Sequence, residues 1–313
     1  MRTVVAVLLV LSAAASAQEE KKAERPAPKQ KRPVFRLPEG VTAHRDLEYG
    51  PHGERNTLDL FVPKADGPVP LIIWVHGGGW QAGSKNGGNP AMPLLEKGYA
   101  VAAINYRLSA AAKFPAQIED CKAAVRFLRA GAAKYGLDPD RFGAWGSSAG
   151  GHLVALLGTT GDVKDLEGDG RNGGVSSRVQ AVCDWFGPTD LLQMNKMAGP
   201  GGRLDHDSPN SPESKLIGGP IQENKEKAER AGPLRYVTKD DPPFLFVHGD
   251  KDPLVPWQQS RILHDALKAA GVDSKLIVVP GAGHGQGIGT PENLAEITAF
   301  FDRILKAPKS SRP

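Results

Sequence analysis

The chain has 313 residues, 40% hydrophobic and 24% charged, with a formal net charge of +4. This is globular composition, sufficient for one large α/β domain or two small ones, and it excludes a disordered or fibrous chain. Arg2 carries one of the surplus charges and residues 18–40, with seven basic and four acidic side chains, carry the other three, so residues 41–313 are near neutral and bear no nucleic-acid footprint. Residues 1–17, MRTVVAVLLVLSAAASA, place one arginine before an apolar run and end in Ala15-Ser16-Ala17. They read as a secretory signal peptide cut before Gln18, because the run falls short of the roughly 20 apolar residues of a membrane span. Residues 18–40, rich in Lys, Glu, Pro and Arg, read as a flexible linker.

Residues 41–308 then alternate strand and helix patterns. Leu58 to Val62 alternates like a half-buried strand. Leu71 to Val75 and Ala100 to Ile104 are continuous apolar runs, as fully covered strands are. Ile118 to Leu128 has helical spacing, and Gly136 suits a helix end. Arg141 to Trp145 is a short strand, and Leu153 to Leu157 lies on a helix. Val179 to Phe186, Phe244 to Val247 and Leu276 to Val279 are further strands. Arg261 to Ala270 and Leu294 to Leu305 are amphipathic helices. The alternation predicts an α/β fold with a mostly parallel central sheet of about eight strands and helices on both faces. Residues 193–235 break the rhythm. Gly- and Pro-rich, they read as a structureless, lid-like insertion before the penultimate strand. Residues 309–313 are a tail. Cys121 and Cys183 sit in apolar stretches and read as buried free thiols, with a disulfide between them as the alternative. No C-x-x-C spacing implies zinc. Asp162, Asp165, Glu167 and Asp169 lack the spacing of a calcium loop and read as a solvated acidic loop.

The chemistry concentrates in loops after strands. Gly146-Ser147-Ser148-Ala149-Gly150 is G-x-S-x-G between a predicted strand and a predicted helix, the context in which a serine is raised on a sharp turn. The helix N-terminus behind Ser148 favours developing negative charge. His76-Gly77-Gly78-Gly79-Trp80 follows another strand as an HGGG-type loop. The N–H groups of Gly78, Gly79 and Ala149 would form an oxyanion hole, with His76 holding the loop. A serine hydroxyl needs a base, and the base needs a carboxylate. Of eight histidines, only His284 lies in a Gly-rich loop directly after the last strand, where an open α/β sheet places ligand chemistry. His152 reads as packing or capping, His248 as buried, and His206 belongs to the insertion. Asp250 and Asp252 both follow the penultimate strand and both qualify as the acid, with Pro253 limiting the backbone at Asp252. Asp184, at a strand end, reads as making a structural hydrogen bond. Trp80, Trp185 and Trp257 fall at or after strand ends and are candidates for a sugar- or aromatic-binding wall.

Taken together, HGGGWQAGSK, AAINYRL, FPAQIEDCKAAVRFLRA, DPDRFGAWGSSAGGHLVALLG, DWFGPTDL, PPFLFVHGDKDPLVP and GAGHG resemble α/β-hydrolase esterases of the hormone-sensitive-lipase-like and bacterial feruloyl and acetylxylan esterase-like group. The likeness runs from about residue 44 to 305. It implies that the second Asp of HGDxD, here Asp252, is the acid, and it matches Gly78 and Gly79 to the oxyanion donors. The resulting expectation is an exported serine carboxylesterase with Ser148, His284 and Asp252 as its triad. Its substrate would be a short acetyl or feruloyl ester carried on plant polysaccharide. It would need neither metal nor organic cofactor, no nucleic-acid partner and no membrane anchor. HGDKDPLVP also resembles prolyl-oligopeptidase catalytic domains. Arylformamide or lipid hydrolysis, and a non-catalytic binding protein on the same scaffold, are the other readings.

Overall fold

A computed structural model describes residues 36–168 and 171–307; the predicted signal peptide, most of the predicted linker and the tail lie outside the described residues. Eight strands form one sheet among the described residues: β1 (Thr42–Glu48), β2 (Thr57–Val62), β3 (Val69–Val75), β4 (Ala100–Ile104), β5 (Leu137–Ser147), β6 (Ala181–Trp185), β7 (Phe244–Gly249) and β8 (Ser274–Val279). Their spatial order is β1-β2-β4-β3-β5-β6-β7-β8. The β1–β2 and β2–β4 pairs are antiparallel, and every pair from β4 to β8 is parallel.

The apolar runs are continuous because both faces of the sheet are covered. Leu71, Ile73 and Val75 of β3 enter one core, whereas Ile72 and Trp74 enter the other. Phe244 and Phe246 of β7 divide from Leu245 and Val247 in the same way. The helices α1 (Ala116–Ala130), α2 (Ala132–Tyr135) and α3 (Ala149–Thr159) supply side chains to the first core. The second core receives Ile297, Phe300, Phe301 and Ile304 from the last helix (Pro291–Leu305). Cys121 belongs to the first core and Cys183 to the second, so the sheet separates two buried free thiols.

Residues 193–235 correct the expectation of a structureless loop. They hold α4 (Met194–Met197), α5 (Pro212–Ile217) and α6 (Lys225–Ala231). Met194, Leu216, Ile217, Ile221, Ala228 and Ala231 are buried. Helices of four to seven residues are too short to show a period, so only these anchors distinguish the segment from a loop. The two longer C-terminal helices are α7 (Gln258–Ala269) and α8 (Pro291–Leu305). β1, TAHRDLE, carries no strand signal in the sequence, because an edge strand with polar residues along it has no apolar alternation. The linker ends earlier than expected: Leu37 packs on the second core and the Gly40 carbonyl accepts from Lys64 N–H at 3.1 Å. The acidic stretch is likewise not simply solvated. Glu167 pairs with Lys122 and Arg126 and accepts from Ser177 Oγ, and Asp162 pairs with Arg178. Asp169 lies outside the described residues.

Topology decides where the chemistry can occur. Strands β3, β5, β6, β7 and β8 are successive parallel neighbours, so the loops leaving their carboxyl ends share one rim. Under that rim, α8 lies so close to the sheet that a Cβ on Gly143 of β5 would stand 2.9 Å from the Phe301 ring. Phe301→Ala is therefore expected to lower the unfolding free energy by about 3–5 kcal/mol in urea titrations. A loss below about 1 kcal/mol would mean that α8 does not pack there.

Candidate active site

Ser148 follows β5 directly and occupies the N-cap position of α3 with φ +55° and ψ −123°. This backbone is strained for an L-residue and persists because its surroundings leave no alternative. The flanking glycines are steric requirements. A Cβ on Gly146 would collide with the Gly150 carbonyl, and one on Gly150 with the carbonyls of Val75 and His76. Ser148 N–H donates to Trp185 O at 2.8 Å, which ties the turn to the end of β6.

The structure brings three sequence-predicted residues into one series. Ser148 Oγ lies 3.0 Å from His284 Nε2, and His284 Nδ1 lies 2.7 Å from Asp252 Oδ2. Nδ1–H donates to the carboxylate, so Nε2 presents its lone pair to the serine hydroxyl. Asp252 Oδ1 accepts from Leu254 N–H at 2.8 Å and Val255 N–H at 2.9 Å. Burial alone would raise Asp252. Hydrogen bonds from His248 and His284, the His284 charge and the Val255 amide outweigh it and hold the carboxyl well below the usual carboxylate range. Asp250 stands aside from this series; its Oδ1 accepts from Gly281 N–H at 2.6 Å and so braces the acid loop against the His284 loop.

His248 contributes more than burial. Its Nδ1 lies 2.7 Å from Ser260 Oγ, its Nε2 donates to Val255 O at 2.9 Å, and Nε2 is 3.4 Å from Asp252 Oδ2. Phe186, which sequence reasoning did not single out, sets its ring edge-on to His284 with centroids 4.7 Å apart. Its only sequence signal is its place immediately after β6, on the same rim.

The HGGGW loop packs against this turn. Gly78, Gly79 and Trp80 have φ of +114°, +58° and +55°. The amides of Gly78, Gly79 and Ala149 make no hydrogen bond among the described residues, and all three residues line the cavity holding the Ser148 hydroxyl. His76 secures the loop. Its Nδ1–H donates to Gly77 O at 2.7 Å, its ring stacks on Tyr106 at 4.4 Å, and its own carbonyl accepts from Tyr106 O–H at 3.0 Å. Burial pushes His76 down to about 4. Lys85, eight residues beyond Gly77, pairs with Asp59 of β2 at 2.6 Å inside the protein.

The tryptophans separate. Trp80 is buried, and its Nε1–H donates to His152 Nδ1 at 3.2 Å, while His152 Nε2–H donates to Ala231 O at 2.7 Å. Burial pushes His152 down to about 4, so it stays neutral. Trp185 corrects the expectation of a substrate wall. It is buried in the second core, edge-on to Trp145 at 5.0 Å, and lines neither cavity at the triad. Position at a strand end does not distinguish a core ring from a wall, because side chains there alternate between faces. Trp257 is half-buried and lines a second cleft of about 780 Å³ beyond His284, with Arg203, Lys251, Gln258 and Gln286. The cavity at Ser148 measures about 500 Å³. The insertion walls both: Arg203 stands on the cleft, and Leu204, His206, Pro212 and Glu213 on the cavity.

Asp184 lies behind the turn, fully buried. Its Oδ1 accepts from Gly187 N–H at 2.9 Å, and Oδ2 has no partner among the described residues. Burial pushes its carboxyl up to about 7. The folded chain therefore keeps a proton that the unfolded chain releases near pH 4, and the stability this group contributes declines as pH rises from about 4 to 7. Asp184→Asn has no such titration. The variant is expected to gain about 2–3 kcal/mol relative to the parent between about pH 5 and pH 7.5, measured by urea unfolding. Parallel pH dependences would show that Asp184 is ionised throughout.

Comparison with known proteins gives the family and the fold. The BD-FAE family model matches residues 58–267. Esterase LipQ of Mycobacterium tuberculosis is 34% identical over 251 residues, covering 76% of this chain and 56% of that protein. The chain spans about half the length of the curated relatives it matches. Among solved structures, a truncated carbohydrate esterase from gut microbiota is 36% identical with a TM-score of 0.78, covering 84% of this chain and 95% of that one. A bifunctional GH43-CE protein of Bacteroides eggerthii is 39% identical with a TM-score of 0.75, covering 83% of this chain and 38% of that one.

Proposed function

Because the chain belongs to the BD-FAE family of α/β-hydrolases, we propose that it is a serine carboxylesterase whose substrates are short acyl esters carried on carbohydrate. The observation that carries this reading is the hydrogen-bonded series Ser148–His284–Asp252 beside the free amides of Gly78, Gly79 and Ala149. In the proposed reaction His284 Nε2 takes the Ser148 proton as Oγ attacks the ester carbonyl. The oxyanion is held by the three amides, which are fixed before charge develops. The imidazolium formed is stabilised by Asp252 and returns its proton to the leaving alcohol. Water then repeats the sequence on the acyl-enzyme.

A carbohydrate-linked alcohol is supported by the carbohydrate-esterase neighbours and by the cleft beyond His284. The alcohol must leave beside the imidazole that protonates it, and there it meets the half-buried ring of Trp257 with Gln258 and Gln286. An apolar ring face and amide groups are the usual means of holding a sugar. The proposal includes export: residues 1–17, read as a signal peptide, would deliver the enzyme to an extracellular polymer.

The enzyme is expected to hydrolyse p-nitrophenyl acetate and to release acetate from acetylated xylan, while leaving an aminoacyl p-nitroanilide intact. Ser148→Ala is expected to lower kcat/KM by more than about 10³-fold, and an unchanged rate would remove the nucleophile assignment. Because Asp252 is already ionised, one proton separates the inactive from the active form on the acid side. Log kcat/KM should therefore rise with pH at a slope of one, and a slope of two would place the carboxyl in the same titration range. For the full-length chain expressed with its leader, mass spectrometry should find a mature N-terminus at Gln18; an intact Met1 would refute export.

A further inference from the structure

The cavity at Ser148 contains a second imidazole–carboxylate pair that the triad does not use. His206 and Glu213, both on the insertion, are 2% and 3% exposed, and His206 Nδ1 lies 2.9 Å from Glu213 Oε1. Both line the cavity that holds Ser148, Ala149 and His284. The pair is locked from outside: His206 N–H donates to Asn195 Oδ1 at 2.8 Å, and Pro212 Cβ would lie 3.4 Å from a Cβ on Gly79 of the HGGGW loop. A carboxylate oxygen accepts, so Nδ1 carries a proton, and in the neutral imidazole Nε2 presents a lone pair. Nε2 has no protein partner among the described residues and is not sealed off, unlike the Nε2 of His76. Around the pair the wall is mostly apolar, with Phe186, Pro188, Leu204, Pro212, Leu254 and Val255; Gln81 and Ser147 are its other polar side chains outside the triad.

We propose that His206, oriented by Glu213, determines specificity by accepting a hydrogen bond from a hydroxyl group of the ester substrate. The inference rests on the reading of Ser148 as the nucleophile and narrows its substrates to esters that bear a free hydroxyl near the scissile bond. An oriented acceptor in an apolar wall discriminates strongly, because a substrate lacking the hydroxyl leaves it desolvated and unpaired. The hydroxyl belongs either to the acyl group or to the alcohol, and matched substrates separate the two sources.

On the acyl side, methyl 4-hydroxycinnamate is compared with methyl 4-methylcinnamate, which is nearly isosteric. On the alcohol side, methyl 2-O-acetylxyloside is compared with its 3-deoxy analogue. The parent enzyme is expected to favour the hydroxyl-bearing member of one pair by about tenfold in kcat/KM. The favoured pair identifies the source, and no preference in either pair overturns the proposal. In His206→Asn the amide nitrogen can take the place of Nδ1 towards Glu213, while Nε2 is removed and the one acceptor left, Oδ1, is drawn back to the position of Cδ2. The preference is expected to fall towards one, and an unchanged preference assigns it to another group and overturns the proposal. Each ratio is taken within one variant, so the folded fraction cancels. If that variant does not accumulate, His206→Phe, which keeps the ring and removes both nitrogens, is read in the same way. If the parent enzyme fails to cleave p-nitrophenyl acetate, the nucleophile reading fails; cleavage without hydroxyl preference defeats this inference alone.

Discussion

The site is built around a place where three pieces of main chain touch and no side chain fits. Gly150, at the start of α3, lies against the carbonyls that end β3, and Gly146 lies against Gly150 itself. That contact forces the turn between β5 and α3 to be sharp and gives Ser148 its positive φ. It also fixes the HGGGW loop, which grows from the same end of β3, at the distance of a bond network from the serine. The pairing order then carries the acid and base to the same rim, because β5, β6, β7 and β8 are consecutive parallel neighbours. The loops after β7 and β8 are stitched together by Lys251 N–H to Ala282 O at 3.0 Å and by Asp250 to Gly281.

Electrostatics divide the buried polar groups by task. Asp252 is kept charged because His248, His284 and two main-chain amides all donate to it or lie close by. His76 and His152 are kept neutral by burial, and each has one ring nitrogen committed to a carbonyl, which leaves a single defined tautomer. Neutral rings can brace main chain without adding a positive field beside the serine. Asp184 takes the opposite course, raised by burial with only one amide to answer it. The outcome for each group follows from how many donors reach it rather than from depth alone.

Most of the frame was legible in the sequence because it depends on local rules. Covered parallel strands read as unbroken apolar runs, and the glycine spacing around Ser148 and in the HGGGW loop reports close main-chain approach directly. His284 was singled out by its glycine-rich loop after the last strand, and Asp252 was favoured over Asp250 slightly by its place in the loop beside Pro253 and decisively by the family likeness. What stayed hidden depends on long-range packing. A tryptophan at a strand end does not announce which face it takes, so Trp185 was misread and Trp257 could not be told from it. β1 is polar at an edge, and the insertion's helices are too short for periodicity. His206 and Glu213 lie seven residues apart in a segment without a repeat, so their pairing appears only once α5 is folded.

The connection from Trp80 through His152 to Ala231 has a consequence for substitution. On the insertion's side the anchor is a peptide carbonyl, which every amino acid possesses. Side-chain identity at the attachment point is therefore unconstrained by that bond. Substitutions in the segment that shapes both recesses can alter their walls and leave its mechanical link to the glycine-rich loop in place.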